Sequence, residues 1–282
     1  MGFNPDIVAL LSCPRDPGYA LAAGVAAFSC DRCGRAYPVR GDRVFFTEPP
    51  ADISLFRNAE PTDRARWTTW RRGNFSFFER HLHARSVEDI LVDIGAGTAP
   101  FRDLTGRFRV AVGVDFYPAE RVQVVADLMR TLPFPDESCD IAFLSNVLEH
   151  IPTPGPLLAE CRRILAPGGM IIGTVPFLME VHQEPYDFHR YTHIMLTRLL
   201  AESGFRDVKV ESIGTLFETY GMLQQQFFAH LLAKEMPGGI RRLAARGGRK
   251  LFHLATAVFA PVFRSASPSS AYTAGYCFIA SK

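Results

Sequence analysis

Asp93, Asp115 and Asp127 are the side chains of this 282-residue sequence whose type and spacing first suggest chemistry. Each closes an apolar run: Ile90-Leu-Val-Asp93, Val110-Ala-Val-Gly-Val-Asp115 and Val122-Gln-Val-Val-Ala-Asp127. Gly95 and Gly97 follow the first run, where they let the backbone turn tightly against a ligand with no Cβ in the way. Asp115 lies roughly twenty residues beyond them, the spacing at which a carboxylate reaches ribose hydroxyls in a doubly wound sheet. A nicotinamide fingerprint would place a third glycine where Pro100 stands, and no Gly-Lys-Ser/Thr follows. The dinucleotide reading loses ground and the P-loop reading is removed. Further reactive types gather in His182-Gln-Glu-Pro-Tyr186-Asp187-Phe-His189-Arg190-Tyr191 and in Asn146-Val-Leu-Glu-His150, while Cys13, Cys30 and Cys33 cluster near the N-terminus.

The elements that must position these groups are readable in outline. Runs of branched aliphatics suit parallel strands covered on both faces. Asp140-Ile-Ala-Phe-Leu-Ser-Asn146 is a fourth such run, and Met170 to Val175 a fifth. Polar residues delivered by successive strands to one edge mark the C-terminal end of a parallel sheet, where open α/β folds bind ligands. Thr192 is spaced as the N-cap of a helix from Ile194 to Ser203 that Gly204 closes. Phe205 to Ile213 and Ala274 to Ala280 complete the strands, with about sixty residues between them, too many for a hairpin loop.

Together these segments resemble the class I S-adenosylmethionine-dependent methyltransferases, in particular the methyltransferase type 11 group. The resemblance rests on Val92-Asp-Ile-Gly-Ala-Gly-Thr98, Val114-Asp115, Ala126-Asp-Leu128, Leu132 to Phe143, Asn146 to His150, Glu160 to Ile172 and the Pro-Tyr186-Asp-Phe-His-Arg-Tyr-Thr192 run. It implies an α/β, doubly wound, seven-stranded Rossmann-like sheet over residues 87–282, with a helical insertion at 215–271 before the last strand. It also implies S-adenosyl-L-methionine as cofactor, with Gly95 and Gly97 under its methionine part and Asp93 orienting that loop or the ammonium. Asp115 with Phe116 would hold the ribose, Asp127 with Leu128 would frame the adenine, and Asn146 to His150 would lie beside the methyl. Structural alternatives accompany these roles: a strand-terminal Asp93 can be a turn cap, and His150 a satisfied junction histidine.

Methyl transfer relies mainly on placing acceptor and methyl within near-attack distance, but a hydroxyl acceptor must also lose a proton. His182, His189 and His150 are the candidate bases, His182 preferred, and Tyr186, Asp187, Arg190 and Tyr191 the candidate acceptor-binding groups. Asp187 and Arg190 have a competing role, pairing with each other to hold the loop.

The N-terminal cysteines read as a small module over 1–48. Ser12-Cys13-Pro-Arg-Asp16 and Cys30-Asp-Arg-Cys33-Gly look like zinc-ribbon knuckles in which Cys13, Asp16, Cys30 and Cys33 are candidate metal ligands. The alternative is a ribbon that keeps its shape without zinc, as in the similar Trm112-like family. Residues 49–86 read as a linker and helical lead-in whose aromatics, Phe75 and Phe78 among them, face a core while its arginines face solvent. A base-stacking role is the alternative.

A net charge of +2 excludes a strong global pull toward nucleic acid. Six scattered cysteines and no leader-like N-terminus lead to an expectation of the cytoplasm, extending to the inner membrane face. The insertion is basic at Arg241, Arg242, Arg246, Arg249 and Lys250 and apolar from Leu254 to Phe263. It reads first as a lid or dimer contact, then as a membrane patch, then as an RNA grip. The expected function is therefore methyl transfer to a small-molecule or lipid-linked acceptor, such as a glycan or polyketide-like hydroxyl. An RNA methyltransferase and a non-catalytic binding protein are the alternatives.

Overall fold

The computed structural model describes residues 3–50, 67–234 and 270–282. In chain order its elements begin with α1 (Pro5–Ala9), β1 (Ser12–Cys13), β2 (Asp16–Ala20), β3 (Ala22–Ala23), β4 (Ala27–Ser29), β5 (Ala36–Arg40) and β6 (Arg43–Phe45). Then follow α2 (Thr69–Leu82), β7 (Ile90–Ile94), α3 (Arg102–Thr105), β8 (Val110–Asp115), β9 (Val124–Val125) and β10 (Cys139–Ser145). The remainder is α4 (Pro154–Ile164), β11 (Leu165–Pro176), α5 (His193–Glu202), β12 (Arg206–Ile213), α6 (Leu216–Lys234) and β13 (Gly275–Ser281).

An eleven-stranded sheet carries most of the described molecule, in the order β12-β13-β11-β10-β7-β8-β9-β6-β5-β4-β3, and β1 and β2 pair as a separate antiparallel ribbon. The centre is parallel: β10 pairs with β7 and β11, β7 with β8, and β8 with β9. β13 lies antiparallel between β11 and β12, as Val175↔Tyr276 and Val210↔Phe278 show. Leu91, Val112, Ile141 and Ile172 are fully buried, as continuous apolar strands require when both faces are covered. Thr68 caps α2 by accepting from Arg71 N–H, and the helix lays Trp70, Phe75, Phe77, Phe78 and Leu82 on the sheet. Phe78 meets Phe101 and Phe143 at ring separations of 5.0 and 4.4 Å, burying large rings worth about 2–3 kcal/mol each. Arg71 departs from the expected solvated face: it is buried, donates to Pro100 O, and lies over the Trp67 and Phe101 rings.

The N-terminal segment does not stand apart as a module ending at residue 48. β6 enters the central sheet parallel to β9, pairing Val44 with Val124 and Phe45 with Val125. Ile7, Leu11, Phe28 and Val44 share one apolar core with Val124, Phe134 and Leu144. The sheet thus runs on past the seven strands expected of residues 87–282, with β6, β5, β4 and β3 added at its far edge. The four-ligand metal set is not assembled either. Cys13, Cys30 and Cys33 converge, but Asp16 turns to Arg32 at 3.4 Å, and the Tyr37 hydroxyl contacts Cys13 Sγ at 3.2 Å instead. Of the expected insertion, α6 is seen, whereas the basic and apolar segment from 240 to 263 lies outside the described residues. Among the described residues no helix is long and apolar enough to cross a membrane.

Candidate active site

Beyond the C-terminal ends of β7, β8 and β10 lies a cleft of about 800 Å³, of the size that takes a small organic ligand. Its floor is the turn after β7, where Gly95 and Gly97 both take positive φ, +72° and +49°. The two glycines serve different ends. A Cβ on Gly95 would stand 2.5 Å from Val147 Cγ2, so packing excludes it. A Cβ on Gly97 would meet no protein atom closer than 3.9 Å, so the space it would fill belongs to the cleft.

Asp115 holds this floor in place. Its Oδ2 accepts from Gly97 N–H at 2.9 Å and its Oδ1 from Tyr117 N–H at 3.0 Å. Each oxygen keeps a lone pair able to accept from a ligand hydroxyl. Burial raises its pKa, opposed by the N–H groups of Tyr117, Gly97 and Phe116. Phe116, Asp127, Leu128 and Asn146 also line the cleft. Asp127 accepts from Met129 N–H at 2.9 Å and pairs with Arg130, and Asn146 accepts the Thr174 hydroxyl at 3.1 Å. Asp93 is the one expected cofactor residue outside the lining. It is buried below the turn, where desolvation and then the charge of Asp115 push its carboxyl up to about 7.

The opposite wall comes from the turn after β10 and the loop after β11. Among the expected bases, His150 and His182 face the cleft and each other, with ring centroids 5.1 Å apart. His150 Nδ1 lies 2.6 Å from Tyr186 O. A carbonyl only accepts, so Nδ1 carries the proton and Nε2 keeps its lone pair. Burial lowers the pKa of this histidine, which keeps the ring neutral. His189 is placed elsewhere: its Nε2 donates to Pro152 O at 3.1 Å.

Of the expected acceptor-binding groups only Tyr186 reaches the cleft. Arg190 grips both oxygens of Asp187, at 2.5 and 2.7 Å, and donates to Glu180 O. Burial would raise the Asp187 pKa, but Arg190 and the His182 N–H outweigh it and hold it below the usual range. Tyr191 is buried and donates to Leu148 O at 3.0 Å. These three residues hold the loop and are not among the residues that line the cleft. Trp70, read from the sequence among the core-facing aromatics of the lead-in helix, and Glu149, within the Asn146 to His150 segment expected beside the methyl, also line the cleft. The available signal for Glu149 was a carboxylate set among Val147, Leu148 and Ile151, where burial gives an acid a cost to offset.

Residues 92–173 match the family model described as a methyltransferase domain. A protein of Mycolicibacterium smegmatis named as a probable S-adenosylmethionine-dependent methyltransferase is 26% identical over 173 residues, covering 55% of this chain and 65% of that one. Malonyl-[acyl-carrier protein] O-methyltransferase 1 of Coxiella burnetii is 34% identical over 113 residues, 36% of this chain and 40% of that one. The chain spans less than two thirds of the length of either relative. A solved S-adenosylmethionine-dependent methyltransferase from Archaeoglobus fulgidus is similar with a TM-score of 0.47 and 19% identity, over 77% of this chain and 96% of that chain.

Proposed function

We propose that this chain, whose residues 92–173 are a methyltransferase domain of the S-adenosylmethionine-dependent class, transfers a methyl group to an oxygen of a small-molecule or lipid-linked acceptor. The observation that carries this reading is one continuous cleft with the Gly95-Gly97 floor and Asp115 at one end and two imidazoles at the other. The residues present fit the cofactor: Gly97 leaves open the space a Cβ would fill, and Asp115 keeps acceptor capacity on a rigidly held carboxylate. When bound, that cofactor supplies an electrophilic methyl on a sulfonium, which departs as a neutral thioether.

The chain's own residues then have three tasks. Gly97, Asp115, Asp127 and Leu128 fix the donor along the sheet edge. Trp70 and Phe188 add apolar wall to the same cleft and exclude water. His150 and His182 face the acceptor end, where an imidazole can take up the proton of a hydroxyl as its oxygen attacks. We propose the cytoplasm as the compartment, from the scattered cysteines of the sequence.

Calorimetric titration of the purified protein with S-adenosylmethionine tests the donor site. We expect saturable micromolar binding in wild type. Asp115→Ala removes a charged acceptor worth about 2–3 kcal/mol, so its affinity should fall at least thirtyfold. Unchanged affinity in that variant, or no binding by folded wild type, would overturn the reading and favour a non-catalytic role.

A further inference from the structure

Glu149 is the least explained charged group in the cleft. Its side chain is 0% exposed, and neither carboxylate oxygen has a hydrogen-bond partner. Isolating a carboxylate in this way is costly unless a proton or a cation accompanies it. Among the described residues the guanidinium that acts on it, Arg190, is committed to Asp187 through two short bonds.

Two imidazoles converge on this carboxylate. One ligand atom each from Glu149, His150 and His182 lie within 4.8 Å of one another, and His150 Nε2 is 3.8 Å from Glu149 Oε1. Both rings are oriented from behind. His150 Nδ1 donates to Tyr186 O, and His182 Nδ1 is held 3.2 Å from both Asp187 Oδ2 and Glu180 O. A ring whose Nδ1 proton is taken by a carbonyl or carboxylate presents the lone pair of Nε2, the arrangement found behind metal-bound histidines. Asp187 thereby acquires a role as the carboxylate behind His182.

We propose that Glu149, His150 and His182 form a divalent-cation site at the acceptor end of the cleft, and that the cation binds the acceptor through its oxygen atoms. One carboxylate and two imidazoles suit a first-row ion such as Mn²⁺, Co²⁺ or Zn²⁺ better than Mg²⁺. Metal–ligand bonds of about 2.1 Å set neighbouring donor atoms about 3 Å apart, so loading draws Glu149 and His150 together by under 1 Å. Three protein ligands leave positions for the acceptor hydroxyl and a second oxygen beside it; the cation would lower the pKa of that hydroxyl so that its proton passes to solvent, the two imidazoles then serving as ligands in place of bases. The acceptor class is thereby narrowed to chelating oxygen compounds, a hydroxyl flanked by another hydroxyl, a carbonyl or a carboxylate. This deepens the methyl-transfer reading and rests on it for the donor, but the cation site itself does not.

The test is a titration of the chelator-stripped full-length protein with Mn²⁺ alone, following the loss of the free-ion electron paramagnetic resonance signal. The result expected is one site of micromolar affinity, weakened at least tenfold by Glu149→Gln and by His182→Ala. Half-exposed His182 gives a variant that folds if the first does not. Cys30→Ser, in the separate thiol cluster, should leave Mn²⁺ affinity unchanged. Failure to bind Mn²⁺ below millimolar concentration, or equal binding by wild type and both variants, overturns the cation site. Parallel titration with S-adenosylmethionine separates the two readings. Donor binding without Mn²⁺ binding removes only the cation site, whereas variant-sensitive Mn²⁺ binding without donor binding removes the methyl-transfer reading and leaves the site.

Discussion

Gly95 and Gly97 look interchangeable as letters and are not so physically. An alanine at either must adopt positive φ, at about 1–2 kcal/mol. At Gly95 its methyl also collides with buried Val147, adding overpacking of about 1–3 kcal/mol. Gly95→Ala should therefore lower the unfolding midpoint by several degrees, whereas Gly97→Ala should cost about half as much stability and yet lose more than tenfold in donor affinity. Thermal scans and calorimetry on both variants decide this; equal stability losses would refute the division. Asp93 offers a second check. Its folded pKa of about 7 lies above its unfolded value, so between those values the folded state binds the extra proton. Its contribution is complete at low pH and declines as pH rises to about 7, at up to about 1.4 kcal/mol per pH unit. Asp93→Asn removes that decline, so its midpoint relative to wild type should rise from pH 4 to 7 and level by pH 8. A pH-independent difference would mean an unshifted carboxyl. The place of Asp93 beside the glycine turn is legible in the sequence. Its burial is not, because that depends on which strand brings Asp115 alongside.

At the scale of elements, the loop between β11 and α5 shows what sequence does and does not disclose. Thr192 has the N-cap signature and its side chain accepts from Met195 N–H at 3.2 Å, so the end of the loop was readable. The four candidate groups Tyr186, Asp187, Arg190 and Tyr191 gave no indication of which would face the cleft. That depends on anchors elsewhere: Phe188 and His189 N–H donate to Glu149 O, Tyr191 to Leu148 O, and Asp187 accepts from His182 N–H. With these bonds made, Tyr186 and His182 face the cleft and Arg190 closes the loop. Asp187→Ala should release this shape and leave Arg190 unpaired. We expect an acceptor KM at least tenfold higher with donor affinity within about threefold of wild type, since donor-side groups do not touch Asp187. A fall in donor affinity of the same size would show that the loop also shapes the other end. The same limit applies to α2, where aromatic spacing revealed the buried face but buried Arg71 could not be told from its solvated neighbours.

Taken whole, the molecule is continuous where composition suggested a boundary. Cysteine knuckles followed by a Pro-rich stretch read as a separate module, because local sequence carries no record of a parallel pairing between β6 and β9 some eighty residues apart. Val44 and Val124 are both fully buried in that seam, and one apolar core runs from Ile7 and Phe28 to Leu144 and Phe278. Two units joined by such a core should unfold together. Both tryptophans, Trp67 and Trp70, lie at α2, so fluorescence follows the cleft end, while hydrogen exchange in the peptide spanning β5 and β6 follows the far edge. The expected outcome is one transition by both probes. A ligand at a hundred times its Kd adds about 2.7 kcal/mol, roughly 5–10 °C for a chain of this size, and S-adenosylhomocysteine should move both signals equally. An edge that melts first and ignores the ligand would break the continuity, and the N-terminal strands would then be an appendage after all. A joint shift would mean that changes at the β6–β9 seam, such as Val44→Asp, weaken donor binding by destabilising the sheet edge that presents Asp115.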